Sequence, residues 1–401
     1  MKNDTNDYVI RVLPSALEID PTQWDELLEI QAEANPMMRH AYLAAMESSG
    51  SATPATGWQP GFITLWSAGR LCAACALYVK AHSYGEYVFD WTWANAYRQH
   101  GLAYYPKAVL ASPFTPVPGA RLLARDTPAR QALATALLDW CRHQGLSSLH
   151  VLFGNEADMA ACSAAGMMLR HTVQFHWQNR SPPYRDFEQF LASLAQEKRK
   201  KIRQERRKVA QARVGFRCAL GADISAQDWD FFYRCYERTY LEHGNAPYLS
   251  RDFFARMART MPQNWLLFVA ERDARPIATS LIALRPPAAP RPAPAAGADL
   301  EGVAYGRYWG AMERVDCLHF EACYYQPLQW CIEQGYQRFE GGAQGEHKMA
   351  RALLPIKTSS AHWLAHPAFA NAVDQFLERE ALGVDGYLEN LAQRSPLRRE
   401  I

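Results

Sequence analysis

The stretch FEGGAQGEHKMAR, residues 339–351, gathers three glycines, two glutamates, a histidine and two further cations into thirteen positions. Such a set can move a proton beside exposed backbone. Glu340 ends a strand-like run, and Gly341, Gly342 and Gly345 let the main chain approach a ligand. Gln344, Glu346, His347 and Lys348 supply polar groups at the same place. An imidazole of pKa ~6.5 is mostly free to accept a proton at neutral pH, which favours His347 as a general base. Glu340 needs burial to compete with it. The competing account of this stretch is a glycine-rich turn with a solvated tip.

Other constellations carry weaker chemistry. LHFEACYYQ (318–326) places His319 and Glu321 in the first turn of a helix, where the dipole favours a carboxylate, so Glu321 reads as a base or as an ordinary turn acid. YGRYWG (305–310) offers Arg307 on a strand as a carboxylate or phosphate partner. SYGEYVFDW (83–91) embeds Glu86 and Asp90 among aromatics, where buried and unpaired acids have raised pKa values suited to a base. Lys107, in YYPK (104–107), is the alternative, an ion-pair partner for both. His176 alternates with Phe175 and Trp177 and reads as a satisfied strand histidine. HGNAPYL (243–249) carries His243 as a helix-end residue and Tyr248 as a substrate contact. Cys72 and Cys75 alone have metal-ligand spacing, but in a strand that sends them to opposite faces, so zinc is not expected.

The elements that must position these groups occur twice. Leu138-Asp-Trp-Cys-Arg-His-Gln-Gly-Leu146 is similar to Leu328-Gln-Trp-Cys-Ile-Glu-Gln-Gly-Tyr336, at a constant offset of 190. Each reads as a helix end closed by glycine, Gly145 and Gly335, and followed by a short strand. Each is preceded by a hairpin pattern, over 62–79 and over 265–284. Helix-like segments cover 21–48 and 225–260, and an amphipathic helix with Gly383 and Gly386 in its span closes the sequence. Residues 286–297, PPAAPRPAPAAG, read as an exposed loop inserted into the second hairpin.

Apolar residues make up 49% of the 401, enough for a large core, and length suggests two or three domains. Net charge is only +2, so polyanion binding would need a local patch. One exists. Residues 198–208 hold eight Lys and Arg, among them Lys200, Lys201, Arg203 and Arg207, with Ile202 and Val209 as a thin apolar stripe. This helix reads as a solvated linker or as a surface for phosphate or anionic lipid. It lacks aromatics, so base stacking is not supported. The longest apolar run is nine residues and no export signal opens the sequence, which suggests a cytoplasmic protein with reduced thiols.

Together with NPMMRHAYLAAMESSG (35–50) and VQFHW (173–177), these motifs resemble the FemAB-like, "predicted N-acyltransferase" family of bacteria, also labelled peptidoglycan biosynthesis/recognition. The resemblance covers about residues 35–398. It implies an α/β (α+β) chain of two tandem, duplicated GNAT-like domains, over 1–185 and 214–401, with a basic linking helix over 186–213. It also implies transfer of an acyl group to an amine, including a long-chain sphingoid or other lipid amine. The donor would be acyl-CoA or an acyl carrier protein, with aminoacyl-tRNA as the alternative and no metal. A ligand-binding protein without transferase chemistry, on the same fold, is a further alternative. Arg98-Gln-His-Gly101-Leu-Ala103 matches the letters of a pyrophosphate loop, but no amphipathic helix follows it. On this reading the candidate site comprises His347, Glu340, Glu321, Asp90 and Glu86 as catalytic groups. Gly342, Gln344, Gly345, Lys348, Arg307, His319, Lys107 and Tyr248 would bind substrate. Location at the inner membrane's cytoplasmic face, through the basic helix, fits the same reading.

Overall fold

A computed structural model describes residues 8–287, 301–342 and 345–398. Gln344 and most of the Pro/Ala stretch lie outside these residues. In chain order the strands are β1 Val9–Leu13, β2 Trp58–Ser67, β3 Arg70–Lys80, β4 Lys107–Leu110, β5 Leu123–Ala124, β6 Ser148–Gly154 and β7 Met168–Gln178. They continue with β8 Val214–Leu220, β9 Trp265–Arg272, β10 Arg275–Arg285, β11 Val303–Ala311, β12 Arg338–Glu340 and β13 Leu354–Leu364. The chain divides into two compact units. The first contains residues up to Thr172 and Thr358–Gly386; the second contains Val173 onward, to Lys357, and the segment from Tyr387.

The first unit's sheet runs β1-β2-β3-β4-β6-β13, with β5 paired to β3. Every neighbour is antiparallel except β4 with β6. The helix Thr127–His143 lies against this sheet, and Leu133, Leu137 and Cys141 pack with Ile63, Leu77, Leu110 and Leu149. Asp126 caps its start through the Ala129 N–H at 2.8 Å. Gly145, at φ 64°, lets the chain turn off its end.

The second unit repeats the order as β8-β9-β10-β11-β12-β7, again with only the fourth and fifth strands, β11 and β12, parallel. Gln326–Glu333 is its counterpart helix, with Leu328, Cys331 and Ile332 packed on Leu266, Ile282 and Phe339. Both hairpins turn through two residues of positive φ, Ala68 and Gly69 in the first, Asp273 and Ala274 in the second, matching the twist of their strands.

Several element boundaries differ from the sequence reading. The helix-like segment 21–48 is two helices, Pro21–Glu29 and His40–Ser48, because Asn35 caps a separate turn that begins at Pro36. The segment 225–260 likewise divides, into Ala226–Glu242 and Arg251–Thr260. The closing helix runs unbroken from Pro367 to Gln393, since Gly383 and Gly386 face open space and cost it only propensity. No helix among the described residues is long and apolar enough to cross a membrane.

Candidate functional site

In the second unit the decisive local feature lies after β11. A short helical turn, Leu318–Phe320, widens into a π turn over Glu321–Tyr325 before the α-helix resumes at Gln326. Pro327 explains the widening. It has no N–H to give and its ring would strike the carbonyl four residues back in a regular helix. The π turn changes which side chains share a face.

Glu321, read from the sequence as a base or as an ordinary turn acid, is buried. Its Oε1 accepts from Gln326 Nε2 at 2.7 Å and from Arg206 Nε at 3.1 Å. Its Oε2 has no hydrogen-bond partner among the described residues. Tyr325 donates to Glu205, which also pairs with Arg351 at 3.0 Å. Arg351 lies 3.6 Å from the Phe320 ring centre and donates to the His347 carbonyl at 2.9 Å. The π turn is thereby tied to the glycine-rich stretch. Tyr324 closes the group, with its hydroxyl 3.4 Å from His347 Nε2.

Here the expected His319, His347 and Lys348 come together. Partial burial, then the charges of Lys348 and Arg351, hold the exposed His347 below the usual imidazole range. His319 is exposed at one face, yet packing edge-on to Trp309 and Tyr324 desolvates its ring and takes it down to about 4. Burial also lowers the Lys348 amine to about 8, and its Nζ donates to the Gly342 carbonyl at 3.0 Å. Gly345 sits at φ 114°, and a Cβ there would stand 2.6 Å from the His347 ring. Gly342 also has positive φ, 80°.

The basic run forms the helix Gln196–Gln211, separate from Phe187–Ala192. Its stripe is broader than Ile202 and Val209 suggest. Glu205 falls on the same face and turns inward to Arg351 rather than pairing along the surface. Lys200, Lys201, Arg203 and Arg207 are exposed on the outer side. A groove of about 550 Å³ runs beside this helix, lined by Arg203, Arg206, Arg207, Glu188, Glu321 and Gln326. Arg203 is held by Glu188 at 2.5 Å.

Glu340 is buried at the end of β12, with Oε1 3.2 Å from Arg338 Nε and 3.9 Å from His176 Nδ1. Arg307 and Tyr248 belong to an aromatic ladder instead. Arg307 lies over Tyr308, which meets Tyr236; Tyr236 meets Tyr240, and Tyr240 meets Tyr248.

Glu86, Asp90 and Lys107 meet in the first unit. Lys107 Nζ donates to Glu86 at 2.7 Å, Asp90 at 2.5 Å and Ser83 at 2.7 Å. Lys80 Nζ stands 3.6 Å from Glu86 and 3.3 Å from the Trp58 ring centre. Both lysines are 0% exposed. Burial lowers the Lys80 amine to about 7, against the pull of Glu86. Burial raises Glu86, while at Asp90 it is outweighed by Lys107, His150 and the hydrogen bonds from Lys107 and Tyr104, leaving that carboxyl well below its usual range. A polar chain continues from Asp90 through Tyr104 (2.7 Å) and His150 (3.2 Å) to His362 (2.7 Å).

Tyr104, His150, His362, Lys80, Glu205, Arg206, Arg338 and Arg351 were not singled out by the sequence. One signal was present: His-Trp recurs at 176–177 and 362–363, on the sixth strand of each sheet.

No curated protein matches the chain by sequence. Among solved structures, FemX superposes with a TM-score of 0.53 at 9% identity, over 91% of this chain and all (100%) of that one. The C-terminal DUF2156 domain of a putative lysylphosphatidylglycerol synthetase from Agrobacterium fabrum gives 0.51 at 11% identity, over 91% and 97%. L-PGS from Bacillus licheniformis gives 0.51 at 11%, over 89% and 97%. At such identities the likeness is one of fold, and that fold is a mixed α/β architecture in which one strand order occurs twice. The FemAB-like family model, described as peptidoglycan biosynthesis/recognition, matches residues 15–399, and the chain belongs to that family.

Proposed function

We propose that the chain is an N-acyltransferase that moves an acyl group from a thioester donor, acyl-CoA or an acyl carrier protein, to a long-chain sphingoid or other lipid amine. The acyltransferase class comes from the FemAB-like family; donor, acceptor and residue roles are our reading. One observation carries the roles: the π turn and the glycine-rich stretch converge on His347, and Glu321 of the same π turn lines an arginine-rich groove. Its resemblance in fold to a lipid-named synthetase agrees with a lipid acceptor.

An amine of pKa ~10 is only ~0.1% neutral at pH 7. His347, whose imidazole is held neutral, accepts the proton as the amine nitrogen attacks the thioester carbon. The C–S bond then breaks, and the departing thiolate takes up a proton. Backbone N–H groups around Gly342 and Gly345 stabilise the developing oxyanion. Glu340 supports the strand end from which this stretch springs, and Gln344 and Lys348 orient its polar groups. Glu321, which lines the groove, faces the amine, while Arg203 and Arg207 take donor phosphates. His319 keeps Tyr324 against His347.

Thiol release from acyl-CoA, driven by an added amine, tests this. His347→Ala lowers kcat by ~10²-fold or more with Tm unchanged. The acid limb of the wild-type profile lies below the ordinary imidazole pKa. Full turnover in His347→Ala sinks the reading.

The exposed Lys200, Lys201, Arg203 and Arg207 favour a second reading, an aminoacyl-tRNA donor. Reversal of all four to Glu weakens donor binding under either reading, with little change in Tm. A steep loss of wild-type affinity with added salt, for tRNA but not for acyl-CoA, selects the second.

A further inference from the structure

The two sheets carry one duplicated row of residues. Across the fourth, fifth and sixth strands of the first sheet, Val109 pairs His150 and His150 pairs His362. Across the same strands of the second, Tyr305 pairs Glu340 and Glu340 pairs His176. The chemistry beside each row has diverged. Lys107 opposes Lys80 in the first sheet, and Val303 opposes Arg285 at the equivalent place in the second.

The helices that follow differ in the same sense. At the offset of 190, His319, Glu321, Tyr324 and Tyr325 correspond to Ala129, Gln131, Ala134 and Thr135. The first-unit helix is regular throughout, with no π turn. The connectors between third and fourth strands differ too. Residues 81–106 deliver Ser83, Glu86 and Asp90 to Lys107 and Tyr104 to Asp90, whereas 286–302 contain no aromatic residue.

We infer that the first unit is a self-occupied duplicate: Lys107 supplies from within the chain the primary ammonium that its buried carboxylates bind, so this unit holds a latent alkylammonium site and no second transferase centre. The ammonium is saturated by three acceptors, and Lys80 with Trp58 closes the far side of Glu86. Lys107 and Lys80, both buried, hold Glu86 and Asp90 and with them the connector onto the sheet. Only the assignment of transfer to the second unit rests on the proposed function. The binding claim stands apart from it.

Lys107→Ala removes the internal ammonium and leaves space for a small one. Removing one partner of a buried charge cluster is strongly destabilising, so Tm falls by roughly 10 °C or more. Methylammonium or ethylammonium chloride then raises Tm along a saturating curve, while sodium chloride and tetramethylammonium chloride at equal concentration do not. Turnover is read in Tyr104→Phe, which removes one hydrogen bond from Asp90, and stays at the wild-type value per folded molecule. Should Lys107→Ala fail to fold, Lys107→Met, which keeps the volume, carries the thermal arm. Loss of turnover at unchanged Tm in Tyr104→Phe overturns the inference. So does rescue of Lys107→Ala by alkylammonium no better than by sodium. Full turnover in His347→Ala would instead defeat the proposed function and leave the rescue result standing.

Discussion

His150 and His362 in the first unit and His176 in the second are buried imidazoles, and burial pushes each pKa down, to about 3 for His150 and His176. An unfolded chain takes up these protons near pH 6.5, whereas the folded chain refuses them until much lower pH. The unfolded state therefore binds more protons between about pH 3 and 6.5, and stability falls as pH drops through that window. Melting curves from pH 7.5 to 5 should show Tm declining, and His362→Asn should flatten the decline. An undiminished slope in that variant would show that the His150–His362 pair does not set it. Sequence reading reached some of this chemistry and missed the rest for a physical reason. Lys107 was legible as a partner for Glu86 and Asp90, because all three lie within 22 positions of one another. The His150–His362 contact spans 212 positions and exists only because two strands pair. Glu205 looked like one member of a charged surface, since only the fold of the 346–351 turn brings Arg351 to its face of the helix.

Hairpins and the glycine ends of both repeats were legible because each is written in local residues: alternation, and a residue able to take positive φ. The π turn was not: a helix read as starting at Leu318 holds Pro327 in its interior, where a proline marks an irregularity without saying whether it is a kink, a break or a π turn. Whether Leu318–Phe320 begins that helix is decided by packing. Gly310 makes a related point. A Cβ there would overlap the carbonyl of Cys235, which belongs to the helix Ala226–Glu242 lying on β11. Backbone cannot retreat as a flexible side chain can. Gly310→Ala should therefore lower Tm by several degrees or prevent folding, while Gly383→Ala, with open space around it, should leave Tm the same or slightly higher. Equal effects at the two positions would mean that β11 and the helix are not held at this spacing.

At the scale of the molecule, duplication was readable from a nonapeptide, but the composition of each unit was not. The repeat predicts two consecutive blocks. Instead each sheet takes its sixth strand from beyond its own block: residues 173–178 of β7 serve the second unit, and residues 358–364 of β13 serve the first. Periodicity and spacing cannot show this, because both strands read alike and either could close either sheet. That arrangement has a consequence for how the protein is made. The second unit's borrowed strand leaves the ribosome before the rest of that unit. The first unit's leaves it roughly two hundred residues after β6, a delay of about 10–40 s at ~5–20 residues per second. Throughout that interval β6, every residue of which is buried in the finished protein, waits with an unpaired edge. The nascent chain thus passes through a long window in which a chaperone, or another copy of the same strand, can reach that edge first.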